Sequence, residues 1–271
     1  MALQRLDALM VQQGIASGRD QAKAYILSGQ VMVDGQRIDK AGVMVADTAE
    51  IVFAGKANPF VSRGGLKLAK ALAQFSIDLS GRRVLDLGAS TGGFTDCALQ
   101  NGAAQVVAVD VGYGQLAWNL RTDPRVKVLE RTNARYLTLE AIDGPVDFVT
   151  ADLAFISLTK VLPVLPPLMN NGAEAVVLVK PQFEAGREQV GKKGVVKDPA
   201  VHEAVINRIA EFSQSLGLTP VNVGFSPITG PEGNIEYLLH LAVAADMLAD
   251  FPTRVKQTVT AAHDSLQPIR R

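Results

Sequence analysis

Val84-Leu85-Asp86-Leu87-Gly88-Ala89-Ser90-Thr91-Gly92-Gly93-Phe94-Thr95 is the stretch on which the reading of this chain turns. An apolar run ends in a carboxylate, passes through a glycine-rich turn, and reaches Phe94 and Thr95 where a helix should begin. Such a turn at the carboxyl end of a parallel strand lets a ligand approach bare backbone, and the helix behind it offers unpaired N–H groups. A dinucleotide fingerprint would need glycine where Ser90 stands, and a P-loop would need G-K-[ST]. What remains is Asp-x-Gly-x-x-x-Gly-Gly. The glycines alone would also suit an ordinary strand–turn–helix connection.

Outward from this stretch the pattern alternates strand and helix, which predicts an α/β fold with a mostly parallel sheet. Val106–Asp110, Arg125–Glu130, Val146–Asp152 and Ala175–Lys180 read as strands. Asp198-Pro199 supplies an N-cap and a proline at the first helical position, opening a helix that passes Phe212 and stops near Gly217. Thr219–Phe225 and Ile235–Leu241 read as the last strands, and the residues beyond Asp250 show weak helical spacing with no assigned role. Asp110 ends the second strand, where a carboxylate can accept hydrogen bonds from both hydroxyls of a ribose. Asn133 follows the third strand and is a candidate for the adenine edge.

The Val84–Thr95 loop resembles the S-adenosylmethionine loop of Rossmann-like methyltransferases. That resemblance makes Asp86, Gly88, Ser90, Gly92, Gly93, Phe94, Asp110 and Asn133 the candidate cofactor-binding residues, with Asp86 ordering the loop and reaching toward the amino-acid moiety.

Composition narrows the class. The 271 residues are 48% hydrophobic with formal net charge zero, so a large core is available and any nucleic-acid affinity would have to come from local clusters of Lys and Arg. Cys97 is the single cysteine, which excludes an internal disulfide framework. No basic segment followed by an apolar one opens the sequence, and no run approaches the roughly 20 apolar residues of a membrane span. The expectation is a soluble, cytoplasmic protein that does not engage a membrane.

The first sixty residues read as a separate module. Leu3, Leu6, Leu9 and Met10 recur at helical spacing, and Ser17-Gly18-Arg19-Asp20 has the form of a capping box ahead of a second helix. After Gly29 the period becomes two, with Asp34-Gly35 as a hairpin turn, and short strands near Val43–Val45 and Glu50–Val52 should close a small sheet. The order Arg5-Leu6-Asp7, Ser17-Gly18-Arg19 and Ile26-Leu27-Ser28-Gly29-Gln30-Val31-Met32-Val33-Asp34-Gly35 resembles the S4 RNA-binding domain. Arg5, Arg19, Lys23 and Arg37, with Arg63 beyond the linker, are the candidate RNA contacts. Taken alone, these charges would also suit a solvated face. Ala54-Gly55-Lys56-Ala57-Asn58-Pro59 reads as the linker.

Four further residues should converge on one rim. Asp152 and Lys180 end strands, Lys67 lies in the helix before the first large strand, and Glu236 opens the last strand. A lysine that ends the buried run Val176-Val177-Leu178-Val179 needs a carboxylate partner or an anionic substrate. The order Lys67, Asp152, Lys180, Glu236, with Ser62-Arg63-Gly64-Gly65 and Lys180-Pro181-Gln182-Phe183-Glu184 around it, resembles the K-D-K-E tetrad of FtsJ-type ribose 2′-O-methyltransferases. With the S4-like module it is similar to the TlyA family, also called hemolysin A.

The resemblance implies methyl transfer from S-adenosylmethionine to a cytidine ribose of ribosomal RNA in one or both ribosomal subunits. It divides the chain into an S4-like domain and linker (1–59), a methyltransferase domain (60–245) and a tail (246–271). In this reading Lys180 orients and deprotonates the ribose hydroxyl, Lys67 offsets the developing negative charge, and Asp152 and Glu236 hold both lysines. Exocyclic-amine chemistry would favour Asp/Asn-Pro-Pro-aromatic where Asp152-Leu153-Ala154-Phe155 stands. Carbon-5 chemistry would need a cysteine near that strand, whereas Cys97 reads as a small core residue. His202, His240 and His263 lack ligand spacing, so no metal site is expected. The basic run from Arg187 to Lys197 could clamp phosphates. Two alternatives stand beside this reading: a non-catalytic RNA-binding or ribosome-assembly factor, and a membrane-lysing activity.

Overall fold

Asp34 and Gly35 adopt φ of 48° and 78°, the left-handed pair that a tight hairpin requires, and join two short strands as their sequence predicts. The computed structural model describes residues 3–16, 18–27, 29–54, 58–230, 232–246 and 250–266. The expected cap Ser17, together with Ser28 and the linker residues Gly55, Lys56 and Ala57, lies outside the described residues. The chain divides into two units, residues 1–58 and 59–271.

In the first unit, β1 (Leu3–Arg5) leads directly into α1 (Leu6–Gln12), followed by α2 (Arg19–Leu27), β2 (Val31–Val33), β3 (Gln36–Ile38), β4 (Met44–Ala46) and β5 (Ile51–Phe53). Leu3 was expected to open the first helix, but it is exposed in a strand that pairs antiparallel with β4. Helical spacing that begins one turn early is easily shared by an edge strand three residues long. Instead of one small sheet there are two, β1–β4 and β3–β2–β5. They enclose a core built on Leu6, Met10, Ile26 and Val31.

The second unit starts with α3 (Gly64–Phe75) and continues through β6 (Arg83–Leu87), α4 (Gly93–Gln100), β7 (Gln105–Val109), α5 (Trp118–Arg121), β8 (Val126–Leu129) and β9 (Val146–Ala151). It is completed by β10 (Met169–Val179), α6 (Pro181–Glu184), α7 (Pro199–Ser215), β11 (Leu218–Phe225), β12 (Tyr237–Val243) and α8 (Phe251–Leu266). Asp198 caps α7 as its sequence predicts, its Oδ1 accepting from the amide of Ala200 at 2.9 Å. Seven strands lie in the order β11-β12-β10-β9-β6-β7-β8, and β6 to β10 run parallel. β12 enters antiparallel between β10 and β11.

Helices cover both faces. On one, Val205, Ile206 and Ile209 of α7 and Phe251, Val255 and Val259 of α8 pack against Val149, Val177 and Leu239 of the sheet. On the other, Leu68 and Leu72 of α3 and Phe94 and Cys97 of α4 pack against Val84, Val106 and Val176. The final segment is therefore part of the fold. Its apolar residues at Phe251, Val255, Val259 and Ala262 form one stripe of α8, all buried. The chain runs from β6 outward to β8 and then returns to place β9 on the other side of β6. That reversal opens a crevice between the carboxyl ends of β6 and β9, where open α/β sheets bind ligands.

Candidate active site

Gly88 leaves β6 at this crevice with φ +81°, and its amide donates to the carbonyl of Val109 at 2.9 Å. A Cβ on Gly88 would sit 2.6 Å from the carbonyl oxygen of Asp152, so the glycine is required by the approach of the two strand ends. The sequence reading ascribed this glycine to ligand access. The first obstacle to a side chain is instead the backbone of the neighbouring strand. Ser90 adopts φ +51°, a left-handed conformation at the position where a dinucleotide loop would carry glycine. Its amide donates to Oδ2 of Asp110 at 2.8 Å, while Oδ1 accepts from the amide of Gly112 at 2.7 Å. Asp110 thus ties the glycine loop to the turn after β7.

Two expected cofactor contacts stand off the cavity wall. Asp86 is buried, with Oδ2 accepting from Thr95 Oγ1 at 2.6 Å and Oδ1 accepting from Thr150 Oγ1 at 2.8 Å. At 1% exposure Asp86 lines neither lobe of the cavity and joins α4 to β9 beneath the loop. Burial pushes its carboxyl up to about 6, against the lowering effect of the two threonine hydroxyls. Gly92, at φ +97°, is needed because a side chain there would run into Leu120 and Leu116.

The other expected residues line a two-lobed cavity. The larger lobe, about 700 Å³, is bounded by Gly93, Phe94, Arg63 and all four tetrad residues. The smaller, about 440 Å³, is bounded by Asp110, Gln115, Asn133 and Arg135. Gly88, Ser90, Asp152, Ala154 and Phe155 line both. Asn133 accepts from the amide of Arg135 at 3.1 Å through Oδ1, which fixes its side chain at the wall.

The tetrad closes as a charge cluster at the rim. Lys67 Nζ lies 3.0 Å from Asp152 Oδ2 and 2.7 Å from Glu236 Oε2. Lys180 Nζ lies 2.5 Å from Asp152 Oδ1 and 3.9 Å from Glu236 Oε1. All four residues are held by different elements: α3, the ends of β9 and β10, and the entry to β12. Burial alone would favour the neutral amine of Lys67, but Asp152 and Glu236 outweigh it and hold that group above its usual value. Burial would raise Asp152, yet Lys180 and Lys67 together hold its carboxyl below the usual range. The two lysines are not equivalent. Both line the larger lobe, but Lys67 sits between two close carboxylates and Lys180 has one.

Residues 60–243 match the FtsJ-like methyltransferase family, and residues 4–51 match the S4 domain. The chain belongs to the FtsJ-like methyltransferase family. Its likeness to the TlyA proteins, expected from the motifs, holds over most of the chain. It is 52% identical over 243 residues to the 16S/23S rRNA (cytidine-2′-O)-methyltransferase TlyA of Mycobacterium tuberculosis, covering 89% of this chain and 91% of that one. Hemolysin A of Brachyspira hyodysenteriae is 39% identical, covering 88% and 100%. A solved structure of a hemolysin-named protein from Streptococcus thermophilus superposes with a TM-score of 0.79 at 44% identity, covering 98% and 97%. S-adenosylmethionine is the cofactor of an FtsJ-like methyltransferase, and the cavity fits it. One lobe is lined by the carboxylate of Asp110 and the amide of Asn133, and the other leads past the glycine loop to the tetrad.

Two features of this methyltransferase site were not legible in the motifs. Phe155 adopts φ +62° and is 91% exposed, with its ring 5.2 Å from that of Phe183. Glu184 is buried, with Oε1 accepting from the amide of Leu158 and Oε2 from Ser157 Oγ, both at 2.7 Å. It braces the loop that carries Asp152 and Phe155 against α6. The only hint was a glutamate four residues after Lys180. Cys97 is fully buried, and burial pushes its thiol up to about 12, in keeping with a core residue.

In the S4 unit, Arg5 and Arg19 converge on Asp7 at 2.8 and 3.4 Å. Lys23 pairs with Asp20 at 3.1 Å, and the guanidinium of Arg37 covers Gly29. Arg63 belongs to the second unit, exposed at the start of α3 beside the larger lobe.

Proposed function

We propose that this chain methylates the ribose 2′-hydroxyl of a cytidine in ribosomal RNA, acting on ribosomal subunits in the cytoplasm. Residues 1–59 hold RNA through Arg5, Arg19, Lys23 and Arg37, and residues 60–245 carry the chemistry, with the tail from 246 contributing α8 to that unit. The observation that carries the reading is the convergence of Lys67 and Lys180 on Asp152, with Glu236 closing the cluster, at the rim of a cavity that also contains the glycine loop. The named activity of the mycobacterial relative supports the choice of substrate. The Hemolysin A name of another relative finds less support, because no helix among the described residues is long and apolar enough to cross a membrane.

S-adenosylmethionine supplies an electrophilic methyl group on a sulfonium centre. In this assignment Asp110 would accept from the ribose hydroxyls of the cofactor, and Asn133 would border its adenine. Gly88, Ser90, Gly93 and Phe94 would form the wall beside its amino-acid portion, while Asp86 and Gly92 shape the loop from behind. Lys180 would receive the proton of the 2′-hydroxyl, having first passed one of its own to solvent through the larger lobe, as that oxygen accepts the methyl group. Lys67, held charged between Asp152 and Glu236, offsets the negative charge that grows on the ribose oxygen. General-base assistance of this kind is worth about 10²–10⁴ in rate. The exposed ring of Phe155 at the mouth suits a base turned out of its stack, as chemistry on a buried nucleotide requires.

Single-turnover methylation of ribosomal subunits by Lys180→Arg tests the reading. Arginine keeps the charge but does not deprotonate in the working range. The expected result is a loss of at least about 10² in rate with cofactor binding retained. Near-normal rates would overturn the base assignment, and failure of the unaltered protein to methylate any rRNA would overturn the function.

A further inference from the structure

Among the described residues of the second unit, five of the six large apolar side chains left exposed follow the carboxyl end of β7, β8 or β9: Val111, Tyr113, Trp118, Tyr136 and Phe155. The sixth, Leu139, lies in the turn that enters β9, its carbonyl accepting from the amide of Gly144. The three strands are parallel members of one sheet, so these segments open on the edge that holds the cavity. Three aromatic rings besides Phe155 stand out in solvent: Tyr113 at 68%, Trp118 at 75% and Tyr136 at 72% exposure. Such a concentration on one edge is unlike the scattered single exposures of an ordinary surface.

Arginines accompany the rings. The guanidinium carbon of Arg131 lies 4.3 Å from the ring centre of Tyr113, and that of Arg135 lies 5.2 Å from the ring centre of Tyr136. Both arginines are exposed, and among the described residues neither forms an ion pair with a carboxylate. The nearby Glu130 is engaged by Arg121 and by the amide of Gly114. Positive charge is therefore left uncompensated beside the rings.

Aromatic faces with interleaved arginines suit unpaired nucleotides, whose bases present ring faces and whose phosphates accept from guanidinium groups. A duplex hides its ring faces and offers only backbone and groove edges. The surface is also continuous with the cavity, since Val111 and Arg135 line the smaller lobe and Phe155 lines both. Resting on the methyl-transfer reading, we propose that Tyr113, Trp118 and Tyr136 form a docking track for unpaired RNA flanking the target nucleotide. Each ring stacks on a base, and Arg131 and Arg135 hold the intervening phosphates. The acceptor stretch is then single-stranded or opened where it crosses this edge.

Trp118 is the only tryptophan of the chain, so its fluorescence reports on this surface and not on the S4 unit. The experiment titrates the full-length protein, saturated with S-adenosylhomocysteine, with a short oligoadenylate and with the same strand annealed to oligouridylate. Quenching by the single strand and little change with the duplex is expected. Tyr113→Ala combined with Tyr136→Ala should weaken oligoadenylate binding about tenfold or more, and Tyr136→Phe should bind like the unaltered protein. Equal quenching by the duplex, or unchanged affinity in the double alanine variant, would overturn the proposal. So would a concentration-dependent dimer that the double variant abolishes while oligoadenylate gives no quenching, because the surface would then belong to a second copy. Methylation of rRNA separates the two readings. A raised KM with kcat retained in the double variant supports the track, whereas an unaltered protein that methylates no rRNA defeats the methyl-transfer reading and leaves the quenching result standing.

Discussion

Asp7 in the amino-terminal unit and Asp152 in the carboxyl-terminal unit each receive two cationic side chains, but the cations differ in where they stand. Arg5 and Arg19 are about half exposed around a fully buried Asp7, so most of their donors remain in water. Lys67 and Lys180 are buried around an Asp152 that is only 16% exposed, and a second, buried carboxylate, Glu236, completes a balanced group of two and two. The first arrangement anchors guanidinium groups and leaves them able to meet a phosphate. The second removes four charges from water and holds them in one geometry, which suits chemistry at a single oxygen.

The comparison is broken most severely at Asp152. Asp152→Asn leaves two buried ammonium groups with one carboxylate between them, and breaking a buried ion pair in this way costs about 3–5 kcal/mol. Methyl transfer should fall below detection in single turnover, and the melting temperature of the variant should drop clearly. A variant that melted with the unaltered protein would show that water, not Asp152, compensates the lysines.

Asp7→Asn should cost markedly less, because Arg5 and Arg19 can turn to solvent when their partner is lost. Hydrogen bonds from Arg5 first, with its charge and that of Arg19, hold the Asp7 carboxyl down at about 2 despite burial. A depressed carboxyl contributes stability that is present above its ordinary value and lost as the pH falls through about 2. The difference between the unaltered protein and Asp7→Asn should therefore shrink on acidification from about pH 4 toward pH 2, as followed by circular dichroism. A difference that did not change with pH would mean that Asp7 acts through packing alone.

Why one cluster was legible in the sequence and the other only partly so has a physical basis. Lys180 announces itself because a lysine that ends Val176-Val177-Leu178-Val179 must be compensated, and strand ends of a parallel sheet share one edge. Asp110, at the end of β7, lies on that edge as well. Asp86 was misjudged because its position in the motif does not say whether the side chain points into the crevice or beneath it. The hydroxyls of Thr95 and Thr150 decide that, and they come from other elements. Gly88 is required for a reason its loop motif does not carry, since the carbonyl of Asp152 arrives only when β9 returns beside β6. Two histidines without ligand spacing meet in the fold: buried His202 has Nδ1 2.7 Å from Tyr237 Oη and 3.2 Å from Nε2 of half-buried His263. Contacts over sixty residues of sequence leave no local pattern to read.

RNA binding tests the exposed half of the comparison. Charge reversal at Arg5 and Arg19 should weaken rRNA binding moderately and flatten its dependence on salt, by roughly 0.7–0.9 in the log–log slope for each phosphate contact removed. Cofactor affinity should not move. Filter binding across a salt series gives the slope, and an unchanged slope would mean that these arginines serve only to hold Asp7.

The smallest effect is expected at Asp86, where a carboxylate is buried with hydroxyls and no cation. Burial raises its carboxyl from an ordinary 3.8 to about 6 in the folded chain. Between those values the folded protein keeps a proton that the unfolded chain releases, so this group's contribution is present below about 3.8 and is lost as the pH rises through about 6. Asp86→Asn cannot titrate, yet its amide oxygen still accepts from one threonine and the other hydroxyl can rotate to meet the amide nitrogen. At about pH 8 the variant should therefore match or slightly exceed the unaltered protein in melting temperature, and at about pH 4.5 it should fall behind by a few degrees. Every other titrating group is common to both proteins, so the difference between the two melting curves isolates Asp86. A constant difference across that range would place the carboxyl at its ordinary value and mean that the threonine hydroxyls offset burial in full.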